Sequence, residues 1–128
     1  MRVGPFRKAA GVPYPNSYAS PEQLASAQST DPKKYQALYL FNCAQRAHYN
    51  FLENHTIMLG SMMIAGLRFP VAAAVTGALW NVFRIMYALG YTRADVKEGK
   101  GRLIGSGFWL CHLAFFGMAG VTGWKMLG

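Results

Sequence analysis

Between Leu103 and Trp124 lie 22 consecutive residues without an Asp, Glu, Lys or Arg. As an α-helix such a run is about 33 Å long, enough to cross the hydrocarbon core of a bilayer. Composition agrees: with 52% hydrophobic and 14% charged residues, too few polar side chains remain for an ordinary wetted surface. Two more helices follow from the run upstream from Tyr35 to Leu67, interrupted by Glu53, and from Phe69 to Tyr91, interrupted by Arg84. Arg68-Phe69-Pro70 separates them as a helical hairpin, because proline disfavours helix in the residue before it and suits a first turn. The expected fold class is all-α, an integral membrane helical bundle in one domain, 1–128. Its membrane helices are expected at about 35–67, 70–91 and 102–126.

The segment 1–34 carries five of the six prolines and reads as a cytosolic irregular segment, with a short helix starting after Ser20-Pro21-Glu22. It contains no span and no hydrophobic region of a signal peptide. Thirteen basic against five acidic residues give a net charge of +8. Arg2, Arg7, Lys8, Lys33 and Lys34 precede the first span, and Arg93, Lys97, Lys100 and Arg102 lie between the second and third. The opposite side would hold only Arg68 and Lys125, so the amino-terminal segment and the loop Thr92–Gly101 are assigned to the cytosol. Basic residues that flank spans, rather than alternate with stacking aromatics, argue against nucleic acid as a partner. Cys43 and Cys111 form neither a disulfide framework nor a zinc-ligand spacing, and read as packing residues.

Polar groups at membrane depth are costly, so each is a candidate for function. Arg46, Asn50 and Glu53 stand at i, i+4 and i+7, along one helical face; Arg84, Tyr87 and Tyr91 do the same at i, i+3 and i+7. Converging, they would offer a guanidinium fork for a carboxylate, a glutamate for an ammonium, an amide for a peptide bond and hydroxyl donors. A small zwitterionic peptide has those needs. The bland alternative is that Arg46 and Glu53 neutralise each other between helices while the tyrosines sit in an interfacial belt. Arg93 and Lys97 read as ordinary loop charges beside a span. His112 reads as a bundle-facing histidine with a hydrogen-bond partner, and Gly117, Gly120 and Gly123 as sites of close helix packing. His48 and His55 lack a third ligand, so no metal is expected.

The string from Phe41 to Glu53, FNCAQRAHYNFLE, resembles the membrane-associated proteins in eicosanoid and glutathione metabolism. Within them it most resembles the microsomal glutathione transferases of type 3. Arg84, Tyr87, Gly90 and Tyr91 are spaced like that family's third-helix motif, and the likeness runs from about Arg7 to the carboxyl end. The resemblance implies a four-helix up-down bundle and a homotrimer, with glutathione as co-substrate between subunits. The site would face the cytosol from the endoplasmic reticulum or the outer mitochondrial membrane. The implied activity is a glutathione transferase and peroxidase on lipophilic electrophiles or lipid hydroperoxides. By similarity Arg46, His48, Asn50, Glu53, Arg84, Tyr87 and Tyr91 bind the tripeptide, together with the basic pair Arg7 and Lys8.

A cation near the sulfur is needed to favour the thiolate. Relatives place an arginine seven residues past the last tyrosine of the third-helix motif; here that place is Glu98, and Arg102 or Lys100 is expected to substitute. The family has a full span before its basic pair, whereas only Arg2 to Phe6 lie ahead of Arg7 here, so three spans are expected rather than four. Two other classes remain open: a non-catalytic lipid-binding or scaffold protein on the same bundle, and a small membrane protein whose basic loops hold anionic lipid headgroups.

Overall fold

Three prolines mark where helices begin. In the computed structural model, which describes residues 2–128, Pro21, Pro32 and Pro70 each occupy the first turn of a helix. There the missing N–H costs nothing and the fixed φ is already helical. The helices are α1 (Val3–Ala10), α2 (Pro21–Thr30), α3 (Pro32–Gly66), α4 (Pro70–Tyr91) and α5 (Phe108–Met126), with a 3-10 segment at Lys97–Gly105 and no strand among the described residues. Ser20 and Gln23 form a reciprocal capping box on α2, and the Asp31 carboxylate accepts from the amides of Lys33 and Lys34 at the head of α3. At 35 residues α3 is about 52 Å long, so it outreaches a bilayer core by several turns.

The amino-terminal segment, expected to be irregular apart from a short helix after Ser20-Pro21-Glu22, carries that helix as α2 and a second one, α1. Val3, Phe6 and Ala10 share one face of α1 and pack with Leu38 and Phe41 of α3. Gly11, at φ 65, ends the helix by donating its N–H to the carbonyls of Arg7 and Lys8. The third long helix, expected over 102–126, begins only at Phe108. Glu98 and Gly99 take left-handed φ of 58 and 62, which breaks any continuous helix there. The 3-10 segment then lies flat against the end of α4. A Cβ on Gly90 would fall onto the Gly101 carbonyl, and one on Gly105 onto the backbone of Tyr87.

Two cores result. One joins α3, α4 and α5 through Met58, Ala73, Trp80, Phe108, Cys111 and Phe115; the other seats α1 and α2 on the first half of α3. His112 is buried and accepts a hydrogen bond from Trp80 Nε1 at 3.2 Å, which ties α5 to α4. Gly117, Gly120 and Gly123 do not serve close packing within the chain: a Cβ on any of them would meet nothing within 4 Å, because that face of α5 has no neighbour. Among the described helices α4 alone is long and apolar enough to cross a membrane by itself, and the 3-10 segment with α5, bent by 44°, makes a second such unit.

Candidate functional site

The two polar stripes meet. Arg84 of α4 donates through Nη1 to the Asn50 Oδ1 of α3 at 2.8 Å. Arg84 is 4% exposed, and its guanidinium lies over Phe108 at 4.5 Å and Tyr87 at 4.7 Å, with Trp80 and Phe51 slightly farther. No carboxylate pairs with it among the described residues, and its Nε is buried without a partner. The rings supply quadrupole attraction in place of a counter-charge. Asn54, one turn beyond Asn50, is buried and donates to the Asn50 carbonyl, which fixes this part of α3.

Tyr87 and Tyr91 stand one turn apart with ring centroids at 5.6 Å, and the Arg102 guanidinium lies over Tyr91 at 5.1 Å. Arg102 also donates to the Glu98 and Gly99 carbonyls at 3.3 and 3.4 Å. The glycine-to-backbone contacts at Gly90, Gly101 and Gly105 are what bring this arginine over the tyrosines. Lys100 is turned away and pairs with Glu98 at 2.7 Å, both side chains largely in solvent. Of the two cations considered for the thiolate, Arg102 is therefore the one that faces the tyrosines.

Arg46 and Glu53 are exposed on α3, with no ion pair between them among the described residues. Arg46 lies beside the hydroxyl of Tyr18, whose ring packs on Tyr49 at 5.9 Å. Burial pushes the Tyr18 phenol above its ordinary pKa while Arg46 pulls the other way. Tyr87 thus lies under the Arg84 guanidinium and against Tyr91, over which Arg102 sits, so two cations flank the tyrosine pair. Such an arrangement suits a ligand with carboxylates and several acceptors.

Not every expected residue joins this group. His48 stands off the Arg46 face of α3, but it and Arg84 border one cavity of about 260 Å³ with Arg2, Phe51 and Asn81. Arg7 is held elsewhere: it is sandwiched between Tyr14 at 4.3 Å and Phe41 at 4.8 Å and donates to the Asn16 carbonyl at 2.6 Å. Lys8 is exposed on α1, and Arg93 pairs with Asp95 at 2.6 Å in the loop. Tyr18, Asn54 and the aromatic box were not singled out from sequence. Only Asn54 carried a signal there, as an amide four residues past Asn50.

Comparison with known proteins follows the same outline. The model of the MAPEG family matches residues 1–121. A protein of Synechocystis sp. (strain ATCC 27184 / PCC 6803 / Kazusa), described as uncharacterized protein sll1147, is 40% identical over 67 residues. That match covers 52% of this chain and 49% of the relative, so the chain spans about half the length of the curated relative it matches. No solved structure matches.

Proposed function

The chain belongs to the MAPEG family, membrane-associated helical-bundle proteins that include glutathione transferases, and we propose that it is a glutathione-dependent transferase and peroxidase of the type 3 kind. The observation that carries this reading is the 2.8 Å bond between Arg84 and Asn50, which joins the two polar stripes into one cationic site. Arg46 meets a carboxylate of the tripeptide, Glu53 its ammonium, and Asn50 a peptide group. Tyr87 and Tyr91 donate to the peptide or the sulfur. His48, Arg7 and Lys8 are brought to this site by a neighbouring subunit of a homotrimer. The membrane is that of the endoplasmic reticulum or the outer mitochondrion, with the site toward the cytosol.

A free thiol near pKa 8.5 is mostly protonated at neutral pH, and a guanidinium beside the sulfur shifts it toward the thiolate. Arg102, over Tyr91, is the group placed to do this. The thiolate then adds to a lipophilic electrophile such as an activated alkene: a carbon–sulfur bond forms as the carbon–carbon π bond breaks, and the carbanion takes a proton from solvent. With a lipid hydroperoxide it attacks the distal oxygen: the O–O bond breaks, an alcohol leaves, and the resulting sulfenic acid condenses with a second glutathione to give disulfide and water.

Glu98, standing where relatives carry an arginine, favours a second reading as a non-catalytic lipid-binding member of the fold. Thiolate formation separates the two. In detergent or nanodiscs, glutathione added to the protein should give the ultraviolet difference absorbance of a thiolate, and Arg102→Ala should abolish most of it while Lys100→Ala should not. Calorimetry showing no binding of glutathione by the wild-type protein would sink the transferase reading.

A further inference from the structure

The connector between α1 and α2 is laid along α3 and fastened there residue by residue. Arg7, stacked on Tyr14 and Phe41, donates to the Asn16 carbonyl at 2.6 Å. The Gln45 amide donates to the Ser17 carbonyl, and the Tyr49 hydroxyl lies 3.4 Å from Ser17 Oγ. Asn42 holds Ala19 from both sides, accepting its N–H at 2.8 Å and donating to its carbonyl at 3.3 Å. With residues 16, 17 and 19 all tied to α3 or α1, the residue between them has one course open. Tyr18 lays its ring on Tyr49 and brings its hydroxyl beside Arg46.

None of these fastenings serves α1 or α2 alone, because Asn42, Gln45 and Tyr49 form one face of α3 directly beside Arg46. We propose that Tyr18 is a positioning residue for the tripeptide site: its hydroxyl oxygen accepts an N–H of Arg46, and its own proton is left to donate to the carboxylate that Arg46 binds. This rests on the glutathione reading above and adds to it a hydroxyl donor carried by the connector. The chemistry is consistent, since a tyrosine phenol, with an ordinary pKa of about 10, stays protonated and is a donor at any physiological pH. An otherwise exposed arginine head samples many rotamers, and a fixed acceptor on one side lowers the ordering cost when the carboxylate arrives.

The test is Tyr18→Phe in the full chain, which keeps the ring on Tyr49 and removes only the hydroxyl. Glutathione affinity is measured by calorimetry, and the thermal midpoint without ligand on the same samples. Affinity should fall about 10- to 150-fold, the size of one net hydrogen bond to a charged group, with the ligand-free midpoint unchanged. Unchanged affinity would overturn the proposal. So would a fall in affinity accompanied by a lower ligand-free midpoint, which would make Tyr18 a fastening of the connector and nothing more. If the wild-type protein itself binds no glutathione, the tripeptide reading fails first and takes this inference with it; the wild-type control tells that case apart.

Discussion

Arg84 is a cation removed from water with one amide oxygen as its hydrogen-bond acceptor and four rings around it. Removing that acceptor leaves a buried donor on a charged group unsatisfied, which costs about 1–3 kcal/mol or more. Asn50→Ala should therefore lower the thermal midpoint in detergent and weaken glutathione binding together, whereas Asn50→Asp should retain the midpoint by keeping an acceptor. In the loop, the hydrogen bonds from Arg93 hold the Asp95 carboxyl below its ordinary pKa. Such a group favours the folded loop above its unfolded pKa, about 3.9, and the benefit is lost as pH falls through the lower folded value. Hydrogen exchange at residues 92–96, corrected for its intrinsic rate, should be flat from about pH 7 to 5 and rise below about pH 4, and Asp95→Asn should remove that rise. At this scale the sequence was readable where function follows helical period: Arg84 and Asn50 were found from spacing, and they meet. Tyr18 was not readable, because its position is set by partners 23 to 32 residues away on another element. The anchoring of Arg7 was not readable for the same reason, its guanidinium being held by a connector whose path no local pattern announces.

The starts of α2 and α4 were legible, since Ser20-Pro21 and the break ahead of Pro70 are local signals that mark observed ends; Asp31-Pro32 carries the same signal, but α3 was expected only from about 35. α1 was not, because eight residues containing Gly4 and Pro5 have little intrinsic helicity and form a helix only against Leu38 and Phe41. Nor was the 3-10 segment, where charge-free composition from Leu103 onward suggested a continuous helix and close backbone approach decided otherwise. Gly105 is the contact to test. A methyl there must displace the Tyr87 backbone, and overpacking of this kind costs about 1–3 kcal/mol. Gly105→Ala should lower the midpoint and, by lifting Arg102 from Tyr91, reduce the thiolate absorbance more than it reduces glutathione binding. Gly117→Ala, where a Cβ meets open space, should leave the midpoint of an isolated chain unchanged.

Over the whole molecule, large apolar side chains remain outside: Val71, Val82 and Ile85 on α4, and Leu110, Leu113 and Phe116 on α5. Lipid contact accounts for many of them, since a spanning helix hides its backbone but not its side chains from hydrocarbon. The polar residues divide differently. Arg46 faces away from His48 on the same helix, and the cavity beside His48 opens next to Arg2 rather than next to Glu53. On the proposed homotrimer, Arg46 of one copy and His48 of the next would meet one ligand. Complementation of defective chains follows from that arrangement. Arg46→Ala and His48→Ala should each weaken glutathione binding in homogeneous assemblies, and co-expressing the two should restore wild-type affinity at about a quarter of the sites, since each site draws its two halves from different chains at random. Titration of the mixed assembly would then resolve a tight fraction absent from either parent. Should no tight fraction emerge although both chains co-purify, Arg46 and His48 do not serve one shared site, and the residues that complete the Arg46 side must come from its own chain.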